Sequence, residues 1–428
     1  MSRMSRRRFL TQGVTSVGAL AGAAALGGSL LTTRIAFGAP GTGTAGRFVF
    51  IILRGALDGL SAVPPYGDSA YAALRGPLAL PVPGSAGGAL PLDNLFALHP
   101  SLVFLHESFS ARELTVLHAV ATPYRERSHF DGQDVLESGV VRPHASESGW
   151  LNRALAAQDS APRRLGVALG TNVPLVMRGP VEVASWSPSH LANLSEDTLQ
   201  RVTDLYASDS LLSQRLADAL ASDQIAAEDQ PPGDEKMNVT SAGDNRTQAG
   251  APKPTGAARF VETTRAAAGF LGREDGPRVA VLETSGWDTH ANEGGSQGQL
   301  AQRLAALDAG LRELKAALGP VWRNTAILLA TEFGRTAATN GTRGTDHGTG
   351  SAAFLVGGAV AGGRVHCDWP SLGSSALYEG RDLKPTLDLR AAIKGVLQEQ
   401  LKVSDRALDT AVFPDSAGIR RIDGLIRA

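Results

Sequence analysis

Six short apolar runs constrain the fold of this chain more than any other feature of its sequence. Most of them are continuously apolar and rich in β-branched or aromatic residues, which is typical of strands buried on both faces of a helix-covered parallel sheet. The sequence therefore predicts an α/β fold. The six predicted strands are Arg47 to Leu53, Glu113 to Ala121, Arg164 to Leu169, Arg278 to Leu282, Thr325 to Thr331 and Ala352 to Val356.

One long helix and one insertion complete the domain organisation. Leucines recur every three or four residues from Ser296 to Leu318, which predicts an amphipathic helix whose apolar stripe packs in the core. A helical excursion is predicted near Asp197 to Leu220. From Ser222 to Gly256 the composition becomes polar with few large apolar residues, so we expect a flexible insertion there. Because the strands on both sides look alike, we expect residues 39–428 to form one α/β domain.

The first 38 residues have the features of an export signal. Arg6 and Arg7 lie in Ser-Arg-Arg-Arg-Phe-Leu, a weakly apolar stretch runs from Val14 to Leu31, and small residues follow at 36–39. This pattern resembles a twin-arginine signal peptide. We therefore expect the twin-arginine translocation machinery as a partner and a periplasmic or secreted location. The alternative is a single membrane anchor, which the glycines of this stretch disfavour.

Charge and composition exclude several functions. Five of the 41 basic residues lie in the signal, which leaves 36 against 42 acidic residues and a net charge of −6. Nucleic acid is therefore not expected as a partner. No later apolar run is long enough to cross a bilayer, so we expect no integral membrane segment in the mature chain. A glycine-rich match to the dinucleotide fingerprint at residues 41–46 precedes the first strand instead of following one, so no nucleotide cofactor is expected.

Histidine and carboxylate side chains collect in the loops that flank the predicted strands. Carboxyl ends of parallel strands lie at one edge of a sheet, so these loops can converge there. Imidazole nitrogen and carboxylate oxygen suit zinc, manganese or magnesium. The alternative is that each loop is an ordinary turn held by local hydrogen bonds. The residues are His129 and Asp131 after the second strand, Asp288 and His290 after the fourth, Glu332 after the fifth, and Asp346 and His347 before the sixth.

The same loops carry a family resemblance. The segments SHFDGQD, GWDTHANEG, TEFGRT and GTDHG, together with the first strand FVFIILRGALDGL, resemble the exported bacterial family known as domain of unknown function 1501. That family is similar in outline to the alkaline phosphatase and sulfatase superfamily. The resemblance implies a three-layer α/β/α sandwich with a mainly parallel, alkaline-phosphatase-like sheet, and metal-dependent chemistry on a phosphate or related ester.

The superfamily likeness implies metal-binding roles at particular positions. The metal-binding aspartate on the loop before a long helix corresponds to Asp288, with His290 close by. The later histidine that leads into a short apolar strand corresponds to His347. The strand that ends in Thr-x-Asp-His or Thr-x-Asp-Asn in the superfamily ends here in Thr-Glu-Phe, which keeps an acid at Glu332. The acid expected after the first strand is replaced by arginine, and Asp58 is the nearest carboxylate that follows.

The nucleophile has two candidate positions. The sulfatase pattern C/S-x-P-x-R corresponds to Ala121-Thr122-Pro123-Tyr124-Arg125, which has a methyl group where the nucleophile belongs. Ser128 opens a predicted helix, and its spacing to Ser138-Gly139 is similar to that of the serine of cofactor-independent phosphoglycerate mutases. Ser128 is therefore the candidate nucleophile, with a helix N-cap as the alternative. Arg125 or Arg335 would bind substrate oxygens, because a planar guanidinium matches an oxyanion.

Two functions remain open at this point. The first is an exported metal-dependent hydrolase or transferase that acts on a small-molecule or polymer ester. The second is a non-catalytic protein that keeps the fold and binds a cell-surface polymer or a partner protein. The retained polar cluster favours the first, and the altered superfamily positions favour the second.

Overall fold

The computed structural model describes residues 46–158, 165–188, 201–203, 205–206, 209–228 and 256–427. The signal predicted at residues 1–38 lies outside the described residues, and so does most of the insertion predicted at 222–256. Within the described ranges, no helix combines the length and the apolar character that a membrane span requires.

A large mixed sheet forms the centre of the fold. Its strands lie in the order β10-β4-β9-β8-β1-β7-β5-β6, with β11 also paired to β4, while β2 and β3 form a separate antiparallel pair. The predicted α/β class is confirmed, and all six predicted strands are present, as β1, β4, β5, β7, β8 and β9. The strands are β1 Arg47–Arg54, β2 Leu90–Pro91, β3 Ala97–Leu98, β4 Leu114–Ala121, β5 Gly166–Leu169, β6 Ala184–Trp186, β7 Val279–Ser285, β8 Thr325–Ala330, β9 Ser351–Val356, β10 Arg364–His366 and β11 Leu387–Asp388.

The sheet is mainly parallel, with one reversed strand near its middle. Strand β1 pairs in parallel with β7 and β8, and β5 pairs in parallel with β6 and β7. Strand β9 is antiparallel to both of its neighbours, β8 and β4. Consequently the first residues of β9 lie at the same edge of the sheet as the last residues of β4, β8, β1 and β7.

The helices have the following bounds: α1 Gly59–Ala62, α2 Tyr71–Arg75, α3 Val103–Ser110, α4 His129–Ser138, α5 Trp150–Ala156, α6 Ser210–Glu228, α7 Gly256–Gly272, α8 Gln299–Leu318, α9 Leu389–Leu401 and α10 Asp405–Ala407. Short 3₁₀ turns cover Gly76–Leu78, Leu175–Met177 and Gly319–Asn324, and a π turn covers Leu408–Val412. Helix α6 lies largely in a separate compact unit of the chain, where it exposes Leu211 and Leu212.

The core explains why the strands are apolar on both faces. On one face of β1, Phe48 and Phe50 belong to a cluster with Trp150 of α5, and the Phe50 and Trp150 ring centroids are 5.2 Å apart. The alternate residues Val49 and Ile51 are equally buried, so the other face is covered as well. The predicted leucine stripe is buried along α8, where each fully buried leucine contributes roughly 1.5–3 kcal/mol.

Candidate metal centre

The candidate site lies at the edge of the sheet where β4, β7 and β8 end and β9 begins. Four side chains bring their donor atoms together there: His129 at the first position of α4, Asp288 and His290 in the loop after β7, and His347 in the loop before β9. The fold thus gathers residues that lie up to 218 positions apart in the sequence.

Five of the six donor-atom pairs among these four residues lie within 3.4 Å. His347 Nε2 is 3.0 Å from the Nε2 atoms of both His129 and His290, and 3.2 Å from Asp288 Oδ1. The Asp288 carboxylate is 3.0 Å from His290 Nε2 and 3.4 Å from His129 Nε2. A tetrahedral ion with bonds of about 2.0–2.1 Å has ligand-to-ligand edges of roughly 3.3 Å. The spacing of His129, Asp288 and His347, whose donor atoms all lie within 4.8 Å of one another, therefore fits ligands that surround a single ion. His290 Nε2 approaches His347 and Asp288 but lies outside that set of three.

The hydrogen bonds of the three rings fix which nitrogen carries the proton. His347 Nδ1 lies 2.9 Å from the Arg127 carbonyl oxygen, which can only accept, so this nitrogen donates. His129 Nδ1 lies 2.8 Å from Glu332 Oε1, and His290 Nδ1 lies 3.3 Å from Asp346 Oδ1. In the neutral rings, the Nε2 lone pair of His347 therefore faces those of His129 and His290.

A cation at this position would stabilise the arrangement. Three imidazole lone pairs and a carboxylate repel each other at 3.0 to 3.4 Å when nothing positive lies between them. A protein oxygen on the remote nitrogen of each histidine is also the usual outer shell of a metal-binding imidazole. The donor set contains no sulfur, which suits zinc or manganese better than soft metals.

The Asp288 carboxylate is held in place by a buried arginine. Arg335 is 2 % exposed, and its Nη1 donates to Asp288 Oδ1 while its Nε donates to Thr345 Oγ1 at 3.1 Å. Burial raises the pKa of Asp288, but the hydrogen bond and charge of Arg335 outweigh that effect and hold the pKa below its ordinary value. Arg335 was predicted to bind substrate oxygens, but in the structure its guanidinium is committed to Asp288 and Thr345.

The environment affects the histidines differently. The hydrogen bond to Glu332 raises the pKa of His129 above its ordinary value, whereas burial lowers the pKa of His347. The side chains of Asp288 and His290 are 39 % and 46 % exposed, against 25 % for His129 and His347. The cluster is therefore open to solvent on the side of Asp288 and His290.

Two carboxylates predicted as ligands lie one step away from the centre. Glu332 is fully buried and accepts hydrogen bonds from His129 Nδ1, from the Gly55 amide at 2.8 Å and from Gln133 Nε2 at 3.2 Å. Burial raises the pKa of Glu332, but these hydrogen bonds, led by that of His129, lower it by more than burial raises it. The pKa of Glu332 is therefore below its ordinary value. Asp346 faces His290 Nδ1. Both acids therefore orient imidazole rings.

Two other predicted ligands lie elsewhere in the structure. Asp58 is 1 % exposed, caps helix α1 through the Ser61 amide and pairs with Arg75 Nη2 at 2.6 Å. Its carboxylate is thereby committed to a buried ion pair. Asp131 lies in the first turn of α4, where it pairs with His144 Nε2 at 3.0 Å and accepts from the Tyr124 hydroxyl at 3.2 Å.

The predicted nucleophile, Ser128, adjoins the cluster in the chain, and the second predicted arginine, Arg125, lies three residues before it. Ser128 immediately precedes His129 and occupies the N-cap position of α4, yet its side chain makes no capping hydrogen bond. Its amide donates to the Tyr124 hydroxyl at 3.1 Å. Arg125 donates through Nη1 to the carbonyl oxygens of Thr122 and Tyr124, so its guanidinium stabilises its own loop.

The sequence did not predict a second buried polar network, which centres on Glu293. Glu293 is fully buried and accepts from the hydroxyl groups of Ser61, Thr289 and Thr345, near the Asp58–Arg75 ion pair. Burial and the charge of Asp58 raise the pKa of Glu293 to about 7. The only available signal was its place in the segment that also carries Asp288 and His290, because it does not follow a strand directly.

Comparisons with known proteins place this geometry in context. The family model described as "Protein of unknown function (DUF1501)" matches residues 112–412. No curated protein matches significantly. Among solved structures, the chain is similar to a 2-O GAG sulfatase, with 10 % identity over 90 % of this chain and 76 % of that one and a TM-score of 0.39. It is also similar to a lipoteichoic acid synthase from Listeria monocytogenes, with 8 % identity, 86 % and 76 % coverage and a TM-score of 0.36.

Proposed function

This chain belongs to the DUF1501 family of proteins of unknown function, and on that premise we propose that it is a metal-dependent hydrolase or transferase acting on a phosphate or related ester. The family expected from the sequence motifs is confirmed. The observation that carries the proposal is that the Nε2 atoms of three histidines lie close to the Asp288 carboxylate at one edge of the sheet.

The residues present fit a divalent metal, to be held by His129, Asp288 and His347, with His290 beside them as the fourth candidate ligand. When bound, such an ion polarises an ester oxygen and lowers the pKa of a water ligand. The chain's own groups prepare the site: Glu332, Asp346 and the Arg127 carbonyl fix the imidazole tautomers. The exposure of Asp288 and His290 leaves one side of the centre accessible to a substrate.

Ser128 is the proposed nucleophile. Its position next to His129 supports this role, since the backbone ties the hydroxyl to a residue of the cluster. Its side chain makes no capping hydrogen bond to α4, so the alternative role as a helix N-cap has no support. A hydroxyl beside a divalent metal is activated by a lowered pKa.

Non-catalytic binding on the same fold is the second candidate, and specific observations favour it. The strand end that carries the nucleophile in sulfatases has the methyl group of Ala121 here. Both arginines proposed for the substrate donate to protein groups, Arg335 to Asp288 and Arg125 to backbone carbonyls. A centre that binds metal and an anion without turnover would have these properties.

Metal content and hydrolysis measured on one preparation test the proposal. We expect elemental analysis of protein purified from the periplasm, without chelators, to find about one divalent metal per chain. We expect that protein to hydrolyse p-nitrophenyl phosphate, bis(p-nitrophenyl) phosphate or p-nitrophenyl sulfate. Bound metal without turnover of any of the three would favour the binding protein. Wild-type protein that takes up no metal would contradict the metal-dependent enzyme and leave non-catalytic binding as the function.

Export through the twin-arginine pathway belongs to the same proposal. It is supported by the arginine pair at positions 6 and 7 and by the weakly apolar stretch that follows it. The substrate would then be an ester that is present outside the cytoplasm, either a small molecule or a polymer.

A further inference from the structure

The two loops that carry Asp288, His290 and His347 are joined closely to each other. The Thr345 amide donates to the Thr289 carbonyl at 3.2 Å, and the Asn292 amide donates to the Thr342 carbonyl at 3.0 Å. Gly344 is required by this contact, because a Cβ atom there would lie 2.4 Å from the carbonyl oxygen of His290. The separation of the candidate ligands therefore depends on how these two loops pack.

Glu293 belongs to the first of these loops, and its buried side chain contacts both of them. Its Oε2 atom accepts from Thr289 Oγ1 at 2.9 Å and from Thr345 Oγ1 at 3.0 Å. Thr289 lies between Asp288 and His290, and Thr345 lies two residues before His347. One buried oxygen thus bridges the two loops. Among the contacts of the described residues, none joins the Glu293 side chain directly to a candidate ligand.

The network continues from Glu293 to a ligand oxygen. The Thr345 hydroxyl donates to Glu293 and accepts from Arg335 Nε at 3.1 Å. The guanidinium of Arg335 in turn donates to Asp288 Oδ1. A displacement of Glu293 would therefore shift Thr345 and, through Arg335, the carboxylate that faces all three imidazoles.

The other end of Glu293 is anchored to the body of the fold. Its Oε1 atom accepts from Ser61 Oγ of helix α1 at 2.9 Å, and Arg75 Nη2 donates to the same hydroxyl at 2.6 Å. Arg75 is fully buried and pairs with Asp58. These contacts hold the Glu293 carboxylate against helix α1 and Arg75.

We propose that Glu293 is a positioning residue of the metal centre, whose carboxylate sets the separation of the two ligand loops by accepting hydrogen bonds from Thr289 and Thr345. This inference rests on the proposed metal site. The function of Glu293 is to supply acceptor oxygens at the right depth, so a glutamine at this position can retain the bridge whereas an alanine cannot.

Titration of the metal-free protein with Co²⁺ tests the proposal. The dissociation constant reports affinity, and the visible absorption of bound Co²⁺ reports coordination geometry. Loss of a group that contacts a ligand directly weakens metal binding by about 10–100-fold, and Glu293 acts one contact further out. We therefore expect Glu293→Ala to weaken Co²⁺ binding by about 10-fold, at the lower end of that range, and to alter the visible spectrum. We expect Glu293→Gln to recover most of the affinity and the wild-type spectrum.

Asp308→Ala is the matched control. Asp308 of α8 is another buried carboxylate, but it accepts from the amides of Phe104 and Leu105 and not from the ligand loops. We expect this variant to lower the melting temperature while leaving Co²⁺ affinity and spectrum unchanged. If Glu293→Ala does not fold, Thr345→Val removes one arm of the same bridge and carries the same expectation.

The outcomes separate this inference from the proposed function. Wild-type protein that binds no Co²⁺ overturns the metal centre and the positioning role together. Wild-type protein that binds Co²⁺, with Glu293→Ala or Thr345→Val matching it in affinity and spectrum, overturns the positioning role alone. A Glu293→Gln variant as impaired as Glu293→Ala also overturns it, because the charge and not the hydrogen bonds would then matter.

Discussion

Each imidazole of the centre donates its Nδ1 hydrogen to a protein oxygen, so its Nε2 atom is the one that faces the centre. The positions of Asp288 and Ser128 relative to these Nε2 atoms separate a ligand from a nucleophile experimentally. Asp288 faces the three Nε2 atoms, whereas Ser128 only neighbours His129 in the chain. Loss of a ligand removes the metal. Loss of a nucleophile leaves the metal bound and stops the reaction.

We therefore predict different failures for two substitutions. Asp288→Asn should lose both metal and hydrolysis, whereas Ser128→Ala should keep its metal and lose about 10³-fold or more in turnover. Elemental analysis and p-nitrophenyl ester hydrolysis on the same preparations measure both. Ser110→Ala, which removes an exposed hydroxyl from α3, is the control. A Ser128→Ala enzyme with wild-type turnover would exclude the serine and leave a water molecule as the attacking group.

The sequence predicted which residues lie at the site but not which of them face its centre and which contact the histidine rings from outside. His129, Asp288, His290 and His347 were all singled out from their strand-flanking loops. Glu332 and Asp346 were singled out by the same criterion, yet they contact the imidazole Nδ1 atoms. Whether a carboxylate faces the centre or a ring beside it depends on side-chain direction over a few ångströms, which the position of a residue after a strand does not specify.

Among the elements, β9 decides whether the site forms. His347 precedes this strand, and in an all-parallel sheet the start of a strand lies at the edge opposite the strand ends. Because β9 is antiparallel to β8 and β4, His347 lies beside residues that follow the parallel strands. The sequence predicted the strand but not its direction, since a buried apolar run is similar in either orientation.

Strand β4 carries a buried histidine that should make stability depend on pH. His118 is fully buried: Nε2 lies 2.9 Å from the Val63 carbonyl, and Nδ1 accepts from the Ala119 amide at 2.7 Å. The neutral ring satisfies both bonds, whereas a proton on Nδ1 would oppose the Ala119 amide hydrogen. Burial lowers the pKa of His118 from 6.5 to about 4.

The sign of the effect follows from the two pKa values. Between pH 6.5 and about 4 the unfolded chain binds a proton that the folded chain does not, so stability falls as the pH falls through this window. We expect His118→Gln to be less stable than wild type at pH 7, with the difference narrowing by roughly 2–3 kcal/mol by pH 4. Urea unfolding across this range measures it, with His106→Gln, at a half-buried position, as the control. A difference that stays constant with pH would contradict the prediction.

For the whole molecule, the main features of the sheet followed from the sequence, whereas its margins did not. Strands of six to eight mostly apolar residues, such as β1, β4 and β8, have a clear pattern. Strands β6, β10 and β11 have only two or three residues each, too few for any periodicity. Their pairing is decided by neighbouring strands.

The segment from Ser222 to Gly256 is predicted to be the first site of proteolysis. Helix α6 extends to Glu228, so we expect the first tryptic cuts after Lys236 and Arg246, in the polar part that follows the helix. Limited digestion followed by mass spectrometry identifies the sites, and size exclusion should show that the two fragments stay associated. Lys236→Gln together with Arg246→Gln should slow this cleavage. A first cut at Arg303 or Arg312, inside α8, would contradict the prediction.

Export tests whether the first 38 residues are read as a twin-arginine signal or only as a positively charged leader. In Ser5-Arg6-Arg7-Arg8-Phe9-Leu10, the pair that matches the signal pattern is Arg6 and Arg7, and Arg8 occupies the variable position. Lysine keeps the positive charge, so a charged leader of the general secretory type would tolerate it. We expect Arg6→Lys with Arg7→Lys to leave the precursor in the cytoplasm, and Arg8→Lys to be exported normally, as judged by fractionation and immunoblotting. Normal export of the double variant would remove the twin-arginine assignment, because charge alone would then explain the leader.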